Sequence, residues 1–420
     1  MTELIGRRLE AVARTRMAEA PVVLLQGPRS VGKSTLLRLL AGAYGQPVVD
    51  LDDPAVRAAA TDDPALFASA PPPVLIDEYQ HAPELLAAIK AELNRDGSPG
   101  RFVLTGSVRF DSLPLVAESL TGRLHRLEIH PLSQGEIDSR RENLIETLLR
   151  DPHEAISPEA STTTRAGYVE RITRGGFPMA LARSGAARDR WFDDYLALCL
   201  ERDLIDPGRT RRPAELGPLM SRLAMRTAQV LNVSAAGADV GLPASTATAL
   251  VDLLEAAFLV RRLPAWGKTL RAATASRPKV HVVDSALAAR LLRLPPERLA
   301  APEPTVLAQL GHLLESFVVG EILKQASWME YPPHVGNWRT HDGAEVDVII
   351  EDGRDGSVVG VEVKAGSRVH PRDRRGLRRL RDLLGERFRG GVVFHTGAHC
   401  IRYNDERIVA LPVDRLWAET

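Results

Sequence analysis

The sequence predicts an α/β protein in three parts: a parallel-sheet domain, a helical middle and a second α/β domain at the C-terminal end. Three observations predict this. Short apolar runs alternate with helical stretches across residues 1–137, which is the pattern of a parallel sheet covered on both faces. Helical periodicity dominates from Tyr168 to about Val260. Strand-like runs then return at Val280–Val283, Val346–Ile350, Val358–Lys364 and Gly391–Phe394.

Pro21–Gln26 reads as a short buried strand, and Lys33 to Leu40 opens an apolar-periodic helix. Val48–Leu51, Val74–Ile76 and Arg101–Leu104 read as further strands, Pro83–Leu93 as a helix and Leu124–Ile129 as one more strand. From Asp138 the pattern dissolves into charged and Ser/Thr/Pro-rich sequence such as SPEASTTTRAG. Residues 138–166 are therefore expected to be a linker or insertion. Helical signals resume after it, clearest over Trp191–Leu204. The expected domains are 1–137, 167–270 and 271–420.

The 420 residues suffice for two or three domains. The 54 basic and 54 acidic residues cancel, so any nucleic-acid contact must come from a local patch. Two cysteines, Cys199 and Cys400, exclude a disulfide framework or a zinc cluster. No apolar run is expected to span a membrane, and the charged N-terminus lacks a signal-peptide core. The expected compartment is the cytoplasm. Lysine occurs only at 33, 90, 268, 279, 324 and 364, and arginine replaces it poorly where a compact, mobile charge is needed.

Residues 27–34, Gly27-Pro28-Arg29-Ser30-Val31-Gly32-Lys33-Ser34, followed by Thr35, fit the phosphate-loop pattern GxxxxGK[ST]. Its glycines let backbone N–H groups turn inward around phosphate oxygens. Lys33 is expected to reach the β- and γ-phosphates of ATP, Ser34 to ligate Mg²⁺, and the next helix to point its positive end at the nucleotide. Pro73-Val-Leu-Ile-Asp77-Glu78 supplies a strand ending in two carboxylates. Asp77 is the metal-side candidate and Glu78 the candidate general base. Arg101-Phe-Val-Leu-Thr105-Gly-Ser107 ends another strand in hydroxyls that can sense a γ-phosphate or cap the strand. Arg109, Arg123 and Arg126 are candidate arginine fingers.

Together GPRSVGKS, VLIDEYQ, FVLTGS and SLTGRLHRLEIHPLS resemble the bacterial and archaeal AAA-type ATPases that carry a C-terminal domain of unknown function. GGFP at 175–178, YLALCLERDL at 195–204, LLEAAFLVRRLPAW at 253–266 and the LLESFVVGEIL run from Leu313 extend the likeness over nearly the whole chain. The resemblance implies an AAA-like core, a winged-helix-like middle and an end similar to restriction endonucleases. It also implies self-association, with an arginine from a neighbour completing the ATP site.

Pro218–Thr227 and Ser245–Glu255 are candidate winged-helix helices, with Ser245 as an N-cap and Leu259–Leu263 as a wing strand. The second helix offers no Arg, Lys, Asn or Gln with which to read bases. Glu201-Arg202-Asp203 reads as a local charge network.

At the C-terminal end, Asp347, Glu362 and Lys364 are expected at one edge of two paired strands, since Glu and Lys two apart share a face. Two carboxylates can hold Mg²⁺, and the lysine can orient or deprotonate a water for phosphodiester attack. This resembles the PD-(D/E)xK nucleases, with Glu315 as a fourth polar group. The alternative is a nuclease-like scaffold whose triad is only a salt-bridge cluster. Pro371–Leu384 carries arginines at 372, 374, 375, 378, 379 and 381, with leucines 377, 380, 383 and 384 expected to bury the opposite face. The arginine face suits a phosphate backbone or simply solvent. Two functions follow: an ATP-driven enzyme acting on DNA or RNA through a metal-dependent nuclease-like domain, or an ATP-dependent switch or assembly protein whose C-terminal domain is an inactive partner-binding module.

Overall fold

The computed structural model describes residues 4–109, 120–200, 213–267, 269, 277–301 and 303–419. They form two compact units, Glu3–Leu132 with Ala256–Phe258, and Ser133–Glu255 with Leu259–Thr420. The middle and C-terminal segments, expected as separate domains, thus share one unit. Glu201-Arg202-Asp203 and Lys268 lie outside the described residues.

The first unit is built on five strands: β1 (Val22–Gln26), β2 (Val48–Asp50), β3 (Val74–Asp77), β4 (Phe102–Gly106) and β5 (Leu124–Glu128). Their order is β2-β3-β4-β1-β5 and every pairing is parallel. β1, β3 and β4 are buried along their whole length, because helices cover both faces of a parallel sheet, and this explains their unbroken apolar runs. Leu85, Leu86, Ile89 and Leu93 of the Glu84–Arg95 helix pack with Ile76, Phe102 and Leu104 in one core. The order puts β4 between the strand that leads into the phosphate loop and the strand that ends in Asp77 and Glu78.

Residues 138–166 are not a linker. The Leu144–Arg150 helix buries Leu144, Ile145, Leu148 and Leu149, and the Ile145 N–H donates to Gln325 Oε1 at 3.1 Å. Ser161 and Thr163 both donate to the Asp414 carboxylate. Polar residues that read as loop are here satisfied by partners far along the chain.

The middle runs as helix Leu216–Met225, strand β6 (Gln229–Val230), helices Val233–Ala238 and Ala244–Ala256, and strands β7 (Val260–Leu263) and β8 (Lys279–Val282). β8 lies between β6 and β7, antiparallel to both. Ser245, the expected N-cap, instead falls inside the first turn as the second residue of the helix Ala244–Ala256.

The C-terminal sheet holds β9 (His334–Arg339), β10 (Glu345–Glu351), β11 (Val358–Lys364), β12 (Phe388–His395), β13 (Ile401–Tyr403) and β14 (Ile408–Pro412) in the order β13-β14-β12-β11-β10-β9. β9, β10 and β11 form an antiparallel meander, and β11, β12 and β14 run parallel. The Pro304–Trp328 helix is 25 residues long with a window of mean hydropathy 1.4, so by length and composition it could cross a membrane, contrary to expectation. Some 61% of that window is buried inside the protein, as in the core helix of a soluble fold. Glu315, Glu321 and Lys324 interrupt its apolar sequence, yet all three are buried.

In the helix Arg375–Leu384, Leu377, Leu380 and Leu384 bury one face. Leu383, expected among them, is 43% exposed, because it lies about 100° around the helix from Leu384. The expected arginine face is largely neutralised. Arg374 and Arg378 pair with Glu406, Arg379 with Asp342 and Arg381 with Asp382.

Candidate active site

The phosphate loop joins β1 to the helix Lys33–Tyr44. A Cβ on Gly27 would meet the Ile129 carbonyl oxygen at 2.2 Å, and Gly32 holds φ +100° immediately before the helix. Both positions therefore need glycine, the first for space and the second for backbone conformation. Arg7, which the sequence reading missed, braces the loop by donating to Val31 O at 2.7 Å and His130 O at 2.6 Å.

Lys33 is buried and donates to Gly27 O at 3.1 Å and Pro28 O at 2.9 Å. Its ammonium lies 3.9 Å from Glu78 Oε1. Asp77 and Glu78 sit at the end of β3, and Thr105 and Ser107 at the end of the neighbouring β4. Thr105 Oγ1 donates to Asp77 Oδ1 and accepts the Glu78 N–H at 3.0 Å. One hydroxyl thus fixes both carboxylate residues. Glu78 adopts the left-handed region at φ +52°, a strained conformation for a non-glycine residue that is common at functional sites.

Gln80 was also missed. Its Nε2 donates to Glu78 Oε2 and, at 3.2 Å, to Ser107 Oγ. Burial would raise the Glu78 pKa, but Lys33, the hydrogen bonds from Gln80 and Ser107, and Arg29 outweigh it and hold the carboxyl below its ordinary value. Glu78 is therefore an ionised carboxylate at neutral pH. Ser34, in the first turn of the helix after the loop, and Asp77, at the end of β3, carry oxygen donors of the kind that a hard cation takes. Arg109, a candidate finger, lies over the Phe258 ring at 5.0 Å, and Arg123 donates to Asn94 Oδ1 at 2.8 Å.

In the second unit, Asp347 on β10, Glu362 and Lys364 on β11 and Glu315 on the long helix come together as expected, but with an additional lysine. Lys279 on β8 donates to Glu315 Oε1 at 2.7 Å and Asp347 Oδ1 at 3.0 Å. Asp347 Oδ2 accepts the Val363 N–H at 3.0 Å and lies 3.8 Å from Lys364 Nζ. Lys364 donates to Glu362 Oε2 at 2.6 Å. Burial would raise Asp347, yet the two lysines and the Val363 N–H hold it below its ordinary value. Burial and the Asp347 charge push Glu315 up to about 8 and Glu362 well above the usual range. A divalent cation does not fit this arrangement, because lysine ammoniums already occupy the carboxylates expected to hold it. Among the described residues, no group of three or more His, Cys, Asp and Glu side chains is arranged to hold a metal ion.

Residues 19–138 match a family described as an AAA domain. Residues 165–298 and 310–416 match two domains of unknown function, DUF8612 and DUF4143. The uncharacterized proteins Rv2008c of Mycobacterium tuberculosis and Mb2031c of Mycobacterium bovis are each 30% identical over 419 residues, 98% of this chain and 85% of theirs. The chain belongs to their family. With its AAA domain, this family member is a P-loop ATPase of the AAA type. Among solved structures, it is similar to the Walker-type ATPase PABY2304 of Pyrococcus abyssi, at 16% identity, covering 69% of this chain and 96% of that one, with a TM-score of 0.40. It is also similar to the RuvB Holliday junction branch migration motor of Thermotoga maritima, at 19% identity, covering 66% and 92%, with a TM-score of 0.30.

Proposed function

We propose that the chain binds and hydrolyses ATP as a nucleotide-dependent switch, and that its second unit is a partner-binding module that does not cleave nucleic acid. The observation that carries this reading is the convergence of Lys33, Glu78, Gln80 and Ser107 beside the phosphate loop. The loop N–H groups and the Lys33 ammonium would receive the phosphates, whose oxygens can replace the Gly27 and Pro28 carbonyls as acceptors. Ser34 and Asp77 would hold Mg²⁺, which would neutralise phosphate charge when bound. Glu78, kept ionised and oriented by Gln80, would align a water on the γ-phosphate. Thr105 and Ser107 would report whether that phosphate is present.

The order helix, strand, two helices and hairpin supports a winged-helix-like reading of the middle. A long helix, the β9-β10-β11 meander, a second helix and parallel β12 support a restriction-endonuclease-like end. The lysine-filled carboxylates favour the inactive form of that scaffold. Self-association and cytoplasmic residence belong to the same proposal.

Action on DNA or RNA is the second reading, favoured by Arg372 and Arg375, which are exposed along one stretch. ATP turnover that rises with a DNA or RNA form would support it, whereas turnover that rises only with a protein partner would support the switch. Lys33→Ala tests the core of the proposal. It should weaken ATP binding by about a hundredfold or more through loss of charge-assisted bonds to phosphate, and unchanged affinity in a titration would rule the site out.

A further inference from the structure

Lys279 comes from outside the strand pair that carries the expected triad. It lies on the central strand of the small sheet, paired with Val230 on one side and Leu263 on the other, so its backbone is fixed from both edges. Its side chain is only 7% exposed. Two residues along the same strand, and so on the same face, His281 Nδ1 lies 3.0 Å from Ser316 Oγ, next to Glu315 on the long helix. Ser316 Oγ is also 2.8 Å from Thr227 Oγ1, which accepts the Val282 N–H at 3.2 Å. Strand and helix are therefore joined at two successive points, by an ion pair at 279–315 and a hydroxyl–imidazole contact at 281–316.

We propose that Lys279 is the resident cation of the Asp347–Glu315–Glu362 site, its tethered ammonium standing where a divalent ion would otherwise bind. The inference rests on reading the second unit as a non-cleaving module, and it adds the residue responsible. Lys279 occupies Asp347 Oδ1, while the Val363 N–H and Lys364 engage Oδ2, so a hydrated metal finds no oxygen of Asp347 open to it. A divalent ion needs several oxygen ligands around it. Here the positive charge is part of the chain, and it also clasps β8 to the long helix and β10. Removing the ammonium but keeping the stem should leave a vacant, carboxylate-lined cavity of the sort that takes a hard divalent ion.

The test uses nucleotide-free full-length protein and Mn²⁺ as the probe, with free Mn²⁺ counted by electron paramagnetic resonance and stability followed by thermal melting. Wild type and Asp347→Asn should bind Mn²⁺ identically, and Mn²⁺ should leave the wild-type melting temperature unchanged. Lys279→Met should melt lower, bind one additional Mn²⁺ per chain at millimolar metal, and regain several degrees when the metal is added. The double variant Lys279→Met/Asp347→Asn should lose the additional ion. Mn²⁺ binding in the wild type that Asp347→Asn abolishes would overturn the proposal, as would a folded Lys279→Met protein that gains no ion. Lys279→Gln serves if the methionine variant does not fold, and the wild-type arm decides alone if neither does. ATP turnover, measured alongside, reports separately on the first unit, so failure of the ATPase reading cannot be confused with failure of this one.

Discussion

Glu142 makes the stability of the second unit depend on pH in a way that one substitution should remove. The residue is fully buried, accepts a hydrogen bond from Ser133 Oγ, and sits against Gly135, where even a Cβ would meet Oε2 at 2.0 Å. Burial, chiefly, together with the nearby Glu321 and Glu136, outweighs the Ser133 hydrogen bond and lifts its pKa from 4.5 to about 7. Between those values the folded chain keeps a proton that the unfolded chain has released. Stability therefore falls as pH rises from 4.5 to about 7, and the loss is complete above that. A shift of 2.5 units corresponds to about 3 kcal/mol at 1.36 kcal/mol per unit. In a unit of this size, that amounts to roughly 6 °C in melting temperature. Glutamine mimics the protonated form. Glu142→Gln should match wild type near pH 5 and melt higher by several degrees near pH 8, and taking the difference between the two proteins cancels every other titrating group. Equal differences at both pH values, or a glutamine variant that melts lower near pH 8, would refute the burial argument.

Other expectations can be checked with the same preparations. Gln80→Ala should reduce ATP turnover by about tenfold or more while sparing nucleotide affinity, because it frees the Glu78 carboxylate without touching the phosphate loop; steady-state kinetics beside a binding titration separate the two effects. Gly27→Ala should destabilise the first unit, since its methyl group would collide with the Ile129 carbonyl. A lowered melting temperature checks this, and an unchanged one would mean that the loop is looser than described.

The ATP site was legible because its parts are contiguous in sequence. Gly27–Thr35 and Pro73–Glu78 each carry their own strand or helix signal, and buried parallel strands read as unbroken apolar runs. Gln80 and Arg7 escaped notice because an amide and an arginine acquire meaning only from what they touch. Lys279 stands 68 residues from Asp347, and no local pattern connects them, although the scarcity of lysine was a usable clue. The segment 138–166 was misread because its polar groups are satisfied by distant partners, Gln325 for the Ile145 N–H and Asp414 for the Ser161 and Thr163 hydroxyls. β9 and β13 are short and partly polar, and their pairing with neighbouring strands, rather than their own sequence, makes them strands.

The central claim is that Glu78 performs the hydrolytic step in a site where Lys33 binds the phosphates. The most direct measurement is Glu78→Gln, assayed for nucleotide affinity and for single-turnover ATP hydrolysis in the same preparation. The amide keeps the shape of the side chain but removes the carboxylate charge that Lys33 and Gln80 maintain against burial. The account predicts nucleotide affinity within about twofold of wild type and hydrolysis slowed by about a hundredfold or more. Hydrolysis at the wild-type rate in this variant would contradict it.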